Sequence, residues 1–81
     1  MVTMKNIRIQ DNQILMDCYK EGQEEGYFSL IINAQTYDIV FSSLGRPSIY
    51  SRQVVSKIVE LHKNNHSLPS EAKAVWCKFY K

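Results

Sequence analysis

Apolar positions recur every second residue through the first half of the chain and then switch to a helical spacing. Ile7 and Ile9 alternate with polar neighbours, and Asp11-Asn12 supplies the chemistry of a tight hairpin. Ile14, Met16 and Cys18 then alternate with Leu15, Asp17 and Tyr19. The stretch Glu21-Gly22-Gln23-Glu24-Glu25-Gly26 reads as a polar connection. Tyr27 to Ile32 is a nearly continuous apolar run, which suits a strand central to a sheet. Asn33 to Thr36 turns the chain, and Tyr37, Ile39 and Phe41 alternate with Asp38, Val40 and Ser42. Short connections make consecutive strands antiparallel neighbours, so a four-stranded meander is the simplest outcome.

Leu44-Gly45-Arg46-Pro47 breaks this pattern, and Ser48 and Ser51 are candidate helix N-caps. Val54, Val55, Ile58, Leu61 and His62 share one face of the helix that follows, while Arg52, Lys57, Glu60 and Lys63 take the other. Asn64-Asn65 stops it. Beyond Pro69 a second helix starts at Ser70-Glu71, with Ala72, Val75, Trp76 and Phe79 as its apolar stripe. The expected fold is α+β: a four-stranded antiparallel β-meander followed by two helices packed on one face (ββββαα). It occupies a single domain across residues 1–81, with a sheet portion at 1–43 and a helical portion at 48–80.

The expected inward set is Ile14, Met16, Cys18, Phe28, Leu30, Ile32, Ile39 and Phe41, facing Val54, Ile58, Leu61, Val75 and Trp76. By alternation the other sheet face carries Leu15, Tyr19, Tyr27, Ile31 and Val40. That is too apolar for an ordinary solvated face. Either the sheet curls to bury it, or it is a contact surface.

Composition sharpens this picture. With 44% hydrophobic and 11% aromatic residues in 81, the chain can fill one core and lies far from the signature of disorder. Residues 1–6 lack the apolar stretch of a secretory signal, and no apolar run reaches membrane-spanning length. The expectation is a cytoplasmic protein without a membrane partner, with Cys18 and Cys77 as reduced thiols. The net charge of +2 is unevenly spread. Residues 1–43 carry three basic against six acidic side chains, and residues 44–81 carry seven basic against two acidic.

Catalytic templates are missing. Glycines stand at 22, 26 and 45, so neither a P-loop nor a dinucleotide fingerprint can be written. There is no nucleophile elbow and no opposed pair of carboxylates. A Cys18–His62 pair has no visible third residue or oxyanion donor. The expectation is a non-enzyme without a cofactor. Cys18, His62, His66 and Cys77 form the one conceivable zinc set, since histidines at i and i+4 share a helix face. Against it, His66 lies beyond the Asn64-Asn65 stop and the cysteines lack close pairing. Packing and helix-flank roles for these residues are favoured, and no metal is expected.

Two binding roles remain. Arg46, Arg52, Lys57, Lys63, Lys73 and Lys78 would form a basic stripe along the helices, with Tyr50, Trp76 and Tyr80 as stacking groups, which points to a nucleic-acid-binding accessory protein. The pI of about 8.6 is mild for that role. Protein recognition accounts for more of the residues. It uses Leu15, Tyr19, Tyr27 and Ile31 on the unexplained sheet face and Glu24 and Glu25 in the acidic loop. The expectation is therefore a small non-catalytic protein-binding domain. Immunity proteins that neutralise toxins and phage-borne inhibitors of nucleic-acid enzymes share its size and charge layout, an analogy that rests on no motif. Pairing of edge strands into a homodimer is the competing use of such a sheet.

Overall fold

A computed structural model of the chain describes residues 1–45, 48–65 and 68–74. Strands β1 (Val2–Gln10), β2 (Gln13–Lys20), β3 (Tyr27–Asn33) and β4 (Ile39–Ser42) lead into helix α1 (Ile49–Asn65) and a last strand, β5 (Ala72–Ala74). All neighbouring strands are antiparallel, in the order β4-β3-β2-β1-β5. The meander is present, but the expected four strands and two helices are replaced by five strands and, among the described residues, one helix.

The correction has a physical origin at β1. This strand starts at Val2, well before the Ile7–Ile9 alternation, and buries Val2 and Met4 on the inner face. Its far edge then needs partners for its backbone donors and acceptors. Strand β5 supplies them, with Val2, Thr3 and Met4 opposite Ala74, Lys73 and Ala72. Ala-Lys-Ala has high helix propensity, and only this long-range pairing overrides it. Of the stripe expected for the second helix, Ala72 lies in β5, and Val75, Trp76 and Phe79 fall outside the described residues.

The turns follow local chemistry. Asp11 and Asn12 both have positive φ (53° and 65°), the requirement of a two-residue hairpin turn that matches strand twist. The β2–β3 connection folds into a single 3₁₀ turn at Glu24–Gly26. There Gly26 lies so close to Lys20 that an added Cβ would sit 2.8 Å from its backbone oxygen.

Ile14, Met16 and Cys18 on β2 stand opposite Ile32, Leu30 and Phe28 on β3, and all six are buried, as expected. Ile39 and Phe41 are not: they are 40% and 50% exposed. The register shifts between Ile31 and Ile32, so Ile39 pairs with inward Ile32 whereas Phe41 pairs with outward Ile31. One extra residue, Val40, has turned Phe41 to the other side of the sheet. A second shift lies in β1 between Lys5 and Arg8, where Asn6 adopts φ 56°. Asparagine tolerates that conformation better than most residues. The bulge turns Ile7 into the core, its N–H donating to Ser70 O at 3.0 Å.

Helix α1 begins where the serines predict. Ser51 N–H donates to Ser48 Oγ (3.2 Å) and Ser48 N–H donates to Ser51 Oγ (3.1 Å), a reciprocal cap. Ser51, Val54 and Ile58 form its buried face, against β1 and β5. Leu61 is half-buried, short of the full burial its position in the inward set implied. The helix is described as far as Asn65, with Asn64 and Asn65 still within it. No helix among the described residues is long and apolar enough to cross a membrane.

Candidate interaction surface

The helix covers the inner face of the sheet, and no described element covers the outer face. Register places its residues in three rows. The first runs Arg8, Leu15, Ile31, Phe41 across β1 to β4. The middle row is Lys5, Asp17, Ser29, with Ser29 tied to Ser43 by paired hydrogen bonds of 2.9 and 3.1 Å. The third is Lys73, Thr3, Tyr19, Tyr27.

The four sheet residues singled out from the sequence therefore share this face, as alternation requires, but in two groups. Leu15 with Ile31 and Tyr19 with Tyr27 stand four residues apart along their strands, roughly 13 Å at strand rise. The tyrosine rings lie 5.4 Å apart and tilted by 56°, and Lys5 Nζ sits 5.6 Å from the Tyr19 ring. Tyr27 is 51% exposed; its hydroxyl donates to Asp17 Oδ1 at 3.3 Å. Partial desolvation, and then the nearby Asp17 carboxylate, raise its pKa above the ordinary tyrosine value. Leu15, Tyr19 and Ile31 are half-buried by their neighbours.

Phe41 is the apolar residue that sequence reasoning missed here, because alternation without the bulge sends it inward. Lys5 and Arg8 also join the face unforeseen. The loop residues divide. Glu24 lines a concavity of about 560 Å³ beside Tyr19, together with Lys5, Lys73, Glu21 and Glu71. Glu25 is exposed on the same turn but does not line that concavity.

Four of the six residues of the expected basic stripe are described. Arg52 and Lys63 stand on one flank of α1, while Lys57 pairs with Glu60 at 3.9 Å. Lys73 lies on β5 opposite Thr3, which puts it on the sheet face away from the helix. Arg46 and Lys78 are outside the described residues. Of the stacking groups, Tyr50 carries Lys20 Nζ at 5.4 Å from its ring, and Trp76 and Tyr80 are not described. On the outer face, Lys5 and Lys73 are interleaved with Asp17, Glu21, Glu24 and Glu71, so the described residues of that face form no continuous track for phosphates.

Of the zinc set, Cys18 and His62 are described. Cys18 is fully buried on the inner face, and burial, then the Asp17 charge, pushes its thiol up to about 12. His62 Nδ1 instead shares a 2.8 Å hydrogen bond with the Tyr37 hydroxyl, ring edge to face. His66 and Cys77 fall outside the described residues. Among the described residues no three histidine, cysteine or acidic side chains converge as metal ligands. No family model, curated protein or solved structure matches the chain.

Proposed function

We propose that the chain is a small protein-binding domain that engages its partner through the outer face of the sheet. One observation carries this reading. A single-layer sheet with one face packed on a helix leaves Leu15, Ile31, Phe41, Tyr19 and Tyr27 together on a face that no described element covers. Tyrosine and phenylalanine exposed beside half-buried aliphatics resemble the anchor composition of interface cores, and the mixed charges at the rim would orient a partner. An inhibitor of a toxin or of a nucleic-acid enzyme is the narrower form of the same reading, supported by size and charge layout alone.

The test is capture from lysate with immobilised wild type and Tyr27→Ala, after nuclease treatment and with absorbance at 260 nm recorded. Tyr27 makes one exposed hydrogen bond, so its truncation leaves the denaturation midpoint nearly unchanged. It abolishes recovery of a specific protein. Undiminished recovery, or no specific protein with the wild type, would remove the basis of the reading.

A further inference from the structure

We infer that the β4 edge and the groove beside it accept an extended, acidic segment of a protein partner as a sixth strand. The inference rests on the protein-binding reading above and names a mode for it. Strand β4 is an edge strand, so among the described residues one side of its backbone has no strand neighbour. Such edges are normally blunted by lysine, proline or brevity. The opposite edge, β5, is three residues long and carries Lys73. Strand β4 is itself short, four residues with a bulge at Val40, but it reads Ile-Val-Phe-Ser with no charge or proline, and its three apolar side chains are 40–51% exposed.

The edge borders a groove of about 520 Å³ between β4 and α1, lined by Tyr37, Asp38, Ile39, Arg52, Val55 and Val59. An added strand projects alternate side chains to opposite faces. One would drop into this groove against Ile39, Val55 and Val59. The next would lie on the outer face beside Phe41, extending the row Leu15–Ile31–Phe41 by one position.

Charge selects the occupant. Arg52 is exposed at the groove, and its guanidinium makes no hydrogen bond or ion pair among the described residues. Lys63 adds a second cation 5.8 Å from the Tyr37 ring. Among the described residues, Asp38 is the one acidic side chain lining the groove, and it forms no ion pair with Arg52. A carboxylate next to an apolar residue would complement this flank. A second copy of the chain would not: antiparallel pairing of two β4 edges puts both helices on the same sheet face and brings two cationic flanks to one seam.

The probe is a phage-displayed library of random dodecapeptides, followed by synthetic peptides of the selected sequences. Enrichment of Asp or Glu beside β-branched or aromatic residues is expected. Bound peptide should slow amide hydrogen exchange across residues 39–42. Val40→Lys and Arg52→Glu alter exposed side chains and should leave the unfolding midpoint in place. Val40→Lys should weaken binding at least tenfold, about the worth of a few edge contacts. Arg52→Glu should weaken the acidic peptide by about tenfold and strengthen its lysine counterpart.

Several results would overturn the inference: no enrichment over a blank surface, enrichment of basic sequences, or a dimer that Val40→Lys dissociates. Peptide binding that Tyr27→Ala abolishes and Val40→Lys leaves intact would also overturn it, while sparing the outer-face reading.

Discussion

Cys18 offers a measurable test of the inner face. Its side chain is fully buried on β2, opposite Phe28 on β3. In the unfolded chain the thiol titrates near 9.0, whereas burial, with a smaller push from Asp17, raises it to about 12 in the folded sheet. The native state therefore holds a proton that the unfolded state releases, and stability falls as pH rises above 9.0 until the folded thiol itself ionises. At about 1.4 kcal/mol per pH unit, the loss is about 1 kcal/mol at pH 10 and up to about 4 kcal/mol at pH 12. Urea midpoints between pH 7 and 10.5 would be compared for Cys77→Ser and for Cys77→Ser with Cys18→Ala. The alanine lowers stability by a constant offset for the lost packing, so the difference in pH slope isolates the thiol. In the single variant, a thiol reagent should label Cys18 only as fast as the sheet opens. Equal slopes in the two variants, or labelling as fast in buffer as in urea, would refute the reasoning. A reactive native thiol would favour the Cys18–His62 and zinc readings instead.

Other substitutions test the fold at separate points. Ala74 is 2% exposed opposite Val2, so Ala74→Asp buries a carboxylate and should destabilise by roughly 3 kcal/mol or more in urea titration. Were residues 72–74 an exposed helical turn, the change would cost almost nothing. Gly26→Ala drives a Cβ to within 2.8 Å of the Lys20 backbone oxygen and should cost about 1–3 kcal/mol. An unchanged melting temperature would mean the β2–β3 connection is looser than described. Tyr37→Phe removes the 2.8 Å bond to His62 Nδ1 and should cost about 1 kcal/mol, with far-UV circular dichroism unaltered.

The local chemistry of the chain determined much of this protein. Asp11-Asn12 set the first hairpin, and Ser48 and Ser51 set the start of the helix. Alternation on β2 and β3 sorted Ile14, Met16, Cys18, Phe28, Leu30 and Ile32 from Leu15, Tyr19, Tyr27 and Ile31, because two directly paired strands with no extra residue preserve a period of two. Tertiary structure decided the rest. Nothing near Ala72-Lys73-Ala74 distinguishes a strand from a helical turn until the edge of Val2–Met4, some seventy residues away, offers it a ladder. That pairing moved Lys73 away from the helical flank and onto the outer sheet face. A bulge leaves no signature in alternation either: it shifts register by one, and the single extra residue at Val40 carried Phe41 from the expected core to the exposed face. Periodicity measures which residues share a side of their own strand. Which side of the molecule that becomes is set by hydrogen bonds to strands distant in sequence.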